Sequence, residues 1–386
     1  MMTTKRLLDV CDFQGGTQPP KDEWINDPCE GYVRMLQIRD YSQGDAKFIQ
    51  YVKDTKKLHK CTKDDIMLSR YGYIGQAFIG LEGAYNVALV KVIKKAEIHT
   101  PYLLCYFQSY YFQHFLLSNV GARATIPGFN KDELENALIR IPEMCEQIEI
   151  ASKITKVDEL IGFHKQQLNV LDTLIKSRFI EMFEDPVTNP LRWAMLPLEK
   201  CLTVLGGYAF KSEEFKTSGV PVLRIGNINT GAFTPTNMVY WSKDDCLTRY
   251  QVLPGDLVIS LTGTVGKDDY GNVCILGNAY PMYYLNQRNA KLILDDELNK
   301  HYLSELLKFS QIKKKLTGIS RGVRQANISN RDILNLVVPI PPIEIQVQFA
   351  AFVEQVDKSK FYIVQMQILL RLLIRAIQQK TTEVLL

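Results

Sequence analysis

The sequence predicts an α+β fold of two pseudo-repeated mixed α/β globular domains, each followed by a long α-helix. The two helices are predicted to pair as an antiparallel coiled coil. Three observations lead to this prediction. The chain repeats itself with a period of about 200 residues, each repeat begins with short β-branched runs between turn residues, and each ends in a long heptad pattern.

The internal repeat is clearest where residues 65–75 are placed on residues 256–266. An aspartate, a serine and two glycines then coincide without a gap. Further along the repeat, Gln147 falls on Gln346, and residues 157–158 fall on residues 356–357. We therefore expect both halves of the 386-residue chain to share one fold.

The first part of each repeat has the pattern of a strand-rich globule. Runs such as residues 220–225 and 256–260 are rich in β-branched residues and are bounded by proline and glycine turns. Helical stretches are predicted near residues 102–117 and 302–316. These patterns place the first globule at residues 1–142 and the second at residues 196–341.

A long helix is predicted to follow each globule, at residues 143–184 and 342–384, with residues 185–195 as a linker. Apolar residues recur at spacings of three and four over about five heptads, which is typical of a coiled coil. Pro341-Pro342 ends the preceding strand and suits the first turn of a helix. At 1.5 Å per residue, each helix would be about 60 Å long.

The composition is that of a folded protein with a mild excess of positive charge. Hydrophobic residues make up 46% of the chain, and the formal net charge is +4, which is compatible with a polyanionic partner. The eight cysteines are scattered without a C-x-x-C pair, so we expect no metal site. The N-terminus lacks the apolar segment of a leader, and no run of about 18 apolar residues is evident. We therefore expect a cytoplasmic protein with no membrane partner.

This domain order suggests two readers held apart by a helical spacer. A fixed protein distance becomes a fixed number of base pairs on duplex DNA, and two unlike globules would read an asymmetric, two-part site. The main alternative is a scaffold or binding protein that does not bind DNA, with two ligand-binding globules on a coiled-coil spacer. A third interpretation is a nuclease fragment with a degenerate site.

Four segments carry a resemblance to a known family: Leu196-Pro197-Leu198-Glu199 and residues 220–228, 254–260 and 338–342. They resemble the specificity (S) subunits of Type I restriction-modification systems, and the resemblance covers nearly the whole chain. The first repeat departs from the pattern, because Ile141-Pro142-Glu143 stands where the second repeat has Pro-Pro.

The resemblance implies two target recognition domains that each read half of a split DNA site. It also implies that the two long conserved helices set the spacing and dock two DNA methyltransferase (modification) subunits, which restriction subunits then join. S-adenosylmethionine would be bound by the methyltransferase subunits, and no cofactor would be bound by this chain.

The candidate DNA-binding residues are basic or polar side chains in a basic run or in glycine-containing loops, since such groups contact phosphates and base edges. In the first globule they are Lys56, Lys57, Lys60, Arg70, Tyr71 and Arg123. In the second globule they are Thr262, Thr264, Lys267, Arg321, Arg324 and Gln325. The lysines are equally compatible with a solvated face.

The sequence gives no sign of catalysis. It lacks the Asn/Asp-Pro-Pro-aromatic motif and the glycine-rich cofactor loop of a DNA methyltransferase. Glu213-Glu214-Phe215-Lys216 has the carboxylates and the lysine that a metal-dependent nuclease needs, but so short a motif often arises by chance. His164 lies on the apolar stripe of the first long helix and is expected to be packed. We therefore predict a non-catalytic subunit.

Overall fold

The structure is a computed structural model that describes residues 3–43, 49–120, 128–264, 266–318 and 325–382, with the backbone alone for Gln325 and residues 380–382. The chain divides into two compact units. The first consists of Met1–Lys165 and Val364–Leu386, and the second of Gln166–Ile363.

The first repeat alternates short strands and helices before one long helix. Its strands are β1 (Thr3–Arg6), β2 (Cys11–Gly15), β3 (Tyr32–Leu36), β4 (Tyr51–Lys53), β5 (Lys60–Cys61), β6 (Met67–Ser69), β7 (Ala77–Phe78), β8 (Gly83–Tyr85), β9 (Leu89–Lys94) and β10 (Leu138–Ile141). Its α-helices are α1 (Leu7–Val10), α2 (Ile38–Ser42), α3 (Thr100–Phe107), α4 (Tyr110–Asn119) and α5 (Met144–Phe183).

The second repeat follows a similar order, with two more strands among its described residues. Its strands are β11 (Ala194–Pro197), β12 (Leu202–Gly206), β13 (Val220–Leu223), β14 (Val239–Trp241), β15 (Gln251–Val252), β16 (Leu257–Ser260), β17 (Thr262–Thr264), β18 (Val273–Ile275), β19 (Tyr283–Leu285), β20 (Asn289–Leu294), β21 (Gln325–Asn327) and β22 (Val337–Ile340). Its α-helices are α6 (Lys300–Lys308), α7 (Ser310–Thr317), α8 (Asn330–Leu334) and α9 (Ile343–Thr382).

The two globules share one sheet topology. Each has two four-stranded sheets, in the orders β2-β9-β6-β7 and β4-β3-β8-β5 in the first globule. The second globule has the corresponding orders β12-β20-β16-β18 and β14-β13-β19-β15. In both, one pair is parallel, β3 with β8 and β13 with β19. The predicted pseudo-repeat of mixed α/β domains is therefore confirmed.

Aromatic residues at the core of each globule pack a helix pair against the sheet. In the first globule, the rings of Phe107 and Phe112 are both buried and lie 4.9 Å apart between centroids. In the second, Phe183 of α5 meets Tyr302 of α6 at 4.8 Å. The Tyr302 hydroxyl donates a 2.8 Å hydrogen bond to the carbonyl of Pro339, which satisfies the polar end of this buried ring. These cores fix the strands whose ends carry the loops described below.

The long helices α5 and α9 pair in antiparallel fashion. In the second unit, Phe179 contacts Phe349, and Asp172 forms an ion pair with Lys360 at 2.7 Å. Residue numbers thus fall along α5 as they rise along α9. In the first unit, Gln378 of α9 lines a small cavity with Ile150 of α5, which keeps the same antiparallel register. The predicted antiparallel coiled coil is confirmed, with heptad spacing on both helices.

The apolar character of α9 exceeds the expectation from the sequence. Among the described residues, its segment Ile343–Gln379 alone has the length and the mean hydropathy, 1.3, of a membrane span. The segment meets this criterion by its mean hydropathy and not as an uninterrupted apolar run, because it contains Gln365, Gln367, Arg371 and Arg375. One helix of this kind is weak evidence for a membrane span, because core helices of soluble proteins pass the same test.

Candidate nucleic-acid interface

In each globule, a buried serine closes a loop at the end of a central strand. We call residues 70–75 loop A and residues 261–271 loop B. Ser69 at the end of β6 accepts a 2.9 Å hydrogen bond on its hydroxyl from the backbone N–H of Gln76. Ser260 at the end of β16 accepts the equivalent bond from Asn272 at 3.0 Å. Because both serines are fully buried, these bonds fix where each loop leaves the sheet and where it returns.

The two loops differ in length, which corrects the gapless alignment made from the sequence. Gln76 follows Ser69 by 7 positions, whereas Asn272 follows Ser260 by 12. Gly75 and Gly271 each donate a backbone hydrogen bond to the carbonyl of the loop's serine, and both have positive φ, 78° and 67°. Gly271, rather than Gly266, is therefore the counterpart of Gly75.

Loop A is held against residues 128–130. Arg70 donates from Nε to the carbonyl of Phe129 at 3.1 Å and from its guanidinium to Asn130 Oδ1. It also lies over the ring of Tyr71, with Cζ 5.3 Å from the centroid, and Tyr71 forms a β-bridge with Gly128. Two of the predicted residues, Arg70 and Tyr71, thus act together to join the loop to a second segment of the chain. The predicted residue Arg123 lies outside the described residues.

Loop B is joined to the corresponding segment by strand pairing. Thr262 pairs with Asn327, and Thr264 pairs with Gln325, in the antiparallel ladder of β17 and β21. The side chain of Thr264 is exposed, as is that of Lys267 in the turn that follows. Arg321 and Arg324 lie outside the described residues, and only the backbone of Gln325 is described. Residues 325–327, the described end of the second candidate loop, therefore lie beside the start of loop B.

The lysine run of the first globule extends from the segment after β4 into β5. Lys56 and Lys57 are exposed, and Lys60 is partly neutralised by an ion pair with Asp54 at 2.6 Å. A ring nitrogen of the adjacent His59 lies 2.7 Å from the carbonyl of Gly15. This hydrogen-bonding distance places the end of the lysine run beside the end of β2.

Sequence reasoning missed Arg288. In the first globule, Arg70 donates its backbone N–H to the carbonyl of Ala88 at 2.8 Å. In the second globule, the matching pair is Leu261 and Arg288, again at 2.8 Å. Each repeat therefore has one arginine in this backbone hydrogen bond. Arg70 is the donor in the first globule, whereas Arg288 is the acceptor in the second. The Arg288 side chain is exposed. Aligning the β8–β9 turn with the β19–β20 turn, rather than extending the register of the preceding strand, would have revealed it.

A basic groove adjoins loop B in the second unit. Its cavity of about 1160 Å³ is lined by Lys267 of the loop and Lys314 of α7, both of which are exposed. Three further lysines of the lining are paired, Lys308 with Glu305, Lys313 with Asp268 and Lys360 with Asp172. Lys176 of α5 is exposed, and together with Lys267 and Lys314 it gives the groove cations that would attract a phosphate backbone.

An acidic residue fixes the conformation of loop B. The Asp269 carboxylate accepts a 2.8 Å hydrogen bond from the backbone N–H of Thr264. This bond holds the pKa of Asp269 below its ordinary value. The carboxylate is therefore ionised at neutral pH, and it accepts a hydrogen bond from its own loop.

In the part of the chain that the structure describes, the side chains that could support catalysis are dispersed or already paired. Among the described residues, no cluster of histidine, cysteine, aspartate or glutamate could hold a metal ion. Burial raises the pKa of the Cys11 thiol to about 12, and that of the Cys274 thiol to about 12, which leaves both protonated. In the nuclease-like motif at residues 213–216, Glu214 forms an ion pair with Lys211 at 3.4 Å, and Lys216 donates a hydrogen bond to the hydroxyl of Ser242.

Comparison with known proteins agrees with this architecture. The family model for the Type I restriction modification DNA specificity domain matches residues 1–173 and 190–372. The Type I restriction enzyme MjaVIII specificity subunit of Methanocaldococcus jannaschii is 28% identical over 376 residues, which cover 91% of this chain and 85% of that protein.

Two solved structures share the fold. The crystal structure of the Type-I restriction-modification system S subunit from M. genitalium has a TM-score of 0.53 at 13% identity, covering 99% of this chain and 96% of that one. A chain from a study of complex assembly and conformational transition of the type I R-M system has a TM-score of 0.54 at 17% identity, with 98% and 97% covered. From the family match over most of its length, the chain belongs to the family of Type I restriction-modification specificity subunits.

Proposed function

We propose that this chain reads an asymmetric, two-part DNA site and directs modification and restriction subunits to it. One observation carries the proposal: the same sheet scaffold, present twice, bears two different loops at the same place. Loop A is short and is joined to its neighbour by Arg70, whereas loop B is longer and is joined by strand pairing. Two unlike loops on one scaffold would read two unlike half-sites.

The residues at these loops suit contact with a DNA duplex. Lys56, Lys57 and Lys267 are exposed cations that would contact phosphates and hold the register. Thr264 of loop B and the neighbouring Arg288 are exposed, and their side chains can donate hydrogen bonds to base edges or phosphates. Arg70 and Tyr71 would act mainly by fixing the shape of loop A. Arg123, Arg321, Arg324 and Gln325 stay predictions from the sequence.

The long helices offer a surface for partner subunits. On α9, Val364, Ile368 and Leu372 recur on one side of the helix and are 41–51% exposed. Phe163 and Val170 of α5 are exposed apolar residues as well. Contiguous exposed apolar side chains are typical of interaction sites. They support docking of two DNA methyltransferase subunits, which would bind S-adenosylmethionine, and restriction subunits would join that complex.

In this proposal the chain contributes recognition and no chemistry of its own. It acts on DNA in the cytoplasm, and apolar contacts with partner subunits, rather than a membrane, account for the character of α9. The domain limits are those proposed from the sequence: globules at residues 1–142 and 196–341, helices at 143–184 and 342–384, and a linker at 185–195.

Selection of DNA by the purified complex tests this function. The chain is co-expressed with its modification subunits, and the complex selects bound sequences from a random duplex library. We expect two short, unlike half-sites separated by a gap of fixed length. A matched variant that lacks one heptad from each long helix is expected to keep both half-sites and to change only the gap. Selection of no common sequence by the assembled complex would contradict the proposal.

A further inference from the structure

One position of a helix holds the loop in both repeats. Gln113 on α4 and Lys313 on α7 are equivalent, because each donates its backbone N–H to the carbonyl of the N-cap residue of its helix. These bonds go to Ser109 at 3.1 Å and to Phe309 at 2.8 Å. The side chains of both residues reach the loop that begins at the buried serine.

In the first globule, Gln113 holds the end of loop A through its amide. Nε2 donates to the carbonyl of Gly75 at 2.6 Å and to the carbonyl of Phe107 at 2.8 Å. Gly75 has a positive φ and lies where the chain turns back to the sheet. The glutamine thus connects this turn to the end of α3.

In the second globule, Lys313 holds both the middle and the end of loop B. Its side chain is only 10% exposed, and its ammonium donates to Asn272 Oδ1 at 2.6 Å and forms an ion pair with Asp268. Asn272 in turn donates its backbone N–H to the hydroxyl of Ser260. Loop B is longer than loop A, and a long cationic side chain spans more of it.

These contacts restrict loop geometry more than they stabilise the domain. The carboxylate partner of Lys313 is 87% exposed, and such ion pairs contribute little to the free energy of unfolding. A loop that reads bases, however, must hold its donors within about 0.5 Å of the productive geometry. Loss of the ion pair and of the bond to Asn272 should therefore affect recognition before it affects folding.

We propose that Gln113 and Lys313 are positioning residues, each of which sets the base preference of one half-site by holding one loop. The inference rests on the proposed function, since it assigns the two loops to two half-sites. Neither residue touches DNA in this account. Each acts through the hydrogen bonds that it makes to its own loop.

The test compares Lys313→Met with Lys315→Met in the assembled complex. The second variant is the matched control, because it makes the same chemical change at an exposed residue of α7 that does not line the groove beside loop B. Each complex selects from a duplex library in which both half-sites are randomised. For Lys313→Met we expect discrimination to fall about tenfold at one half-site and to stay unchanged at the other. Affinity for random-sequence DNA should be unchanged, and the control should select as wild type does.

Two further variants keep the outcome decisive. Gln113→Met is expected to relax the opposite half-site and to leave unchanged the one affected by Lys313→Met. Asp268→Ala removes the exposed partner of the ion pair and gives the answer if Lys313→Met fails to assemble. Unchanged specificity in these variants, equal relaxation of both half-sites, or equal relaxation in the control would overturn the inference. A wild-type complex that selects no split site would instead overturn the proposed function.

Discussion

Gln147 and Gln346 make the same pair of hydrogen bonds in the two repeats. Gln346 Oε1 accepts from the backbone N–H of Asn299 at 2.9 Å, and its Nε2 donates to the carbonyl of Pro341 at 2.7 Å. Gln147 accepts from His99 at 2.9 Å and donates to Pro142 at 2.9 Å. Both glutamines are almost fully buried. Each therefore joins the first turn of a long helix to the N-cap residue of a helix in its globule, α3 or α6.

Replacing Gln346 by leucine should destabilise the second unit. The backbone N–H of Asn299 and the carbonyl of Pro341 would lose their partners in a buried site, which costs about 1–3 kcal/mol. The measurement is urea unfolding of the full chain, followed by fluorescence. The matched control is Gln348→Leu, because Gln348 lies on the exposed side of the same turn. Equal unfolding midpoints for the two variants would mean that these bonds do not anchor the helix.

Truncating Phe349 should break the helix pair in the second unit. Its ring is fully buried and contacts Phe179 and Phe183 of α5, each at 5.5 Å between centroids. Phe349→Ala should lower the free energy of unfolding by about 3–5 kcal/mol. Phe361→Ala is the control, because that ring on the same helix is 57% exposed. If the two substitutions cost the same, the antiparallel packing described here is wrong.

Removing Arg288 should weaken DNA binding by the complex. If this arginine contacts a phosphate, Arg288→Ala lowers affinity about equally for all sequences and reduces the salt dependence by about one counterion. Binding is measured at several salt concentrations for a specific and a random duplex. Arg249→Ala, an exposed arginine of the same globule outside loop B, serves as the control. A loss confined to the specific duplex would instead indicate base reading, and no loss would remove Arg288 from the interface.

Acidification should weaken the second unit through His301. Burial, followed by the nearby charge of Lys300, holds the pKa of His301 below its ordinary value of 6.5, against the opposing effects of Asp357, Glu354 and Glu305. The unfolded chain then binds the proton more readily, so this part of the stability is present above pH 6.5 and is lost as the pH falls below it. Unfolding midpoints between pH 7.5 and 5.5 should therefore fall less for His301→Gln than for the parent chain. Parallel pH profiles would contradict this role.

The periodic features of the fold could be predicted from the sequence. The heptads of α5 and α9 and the equivalence of Gln147 with Gln346 depend on spacing alone, and spacing survives when identity is low. The loops could not be predicted in the same way. Loop B contains extra residues that pair with β21, and a register extended from Ser260 without a gap therefore matched the wrong glycine.

The candidate site shows a similar division. Residue types indicated Arg70 as a DNA contact, but its hydrogen bonds to Phe129 and Asn130 depend on pairing between segments distant in sequence. Arg288 was missed because it replaces Ala88 rather than Arg70, and the two positions are brought together only by the backbone bond between strands. The contacts of Gln113 and Lys313 with their loops likewise depend on how α4 and α7 pack, which the sequence pattern does not reveal.

The central claim is that this chain supplies the sequence specificity of a modification enzyme. The most direct measurement is single-molecule sequencing of DNA from cells that express the modification subunits with and without the chain. We predict methylation at one asymmetric, two-part site, with two unlike half-sites around a fixed gap, only when the chain is present. The same methylated positions in both kinds of cell, or none in cells where the complex has assembled, would contradict the claim.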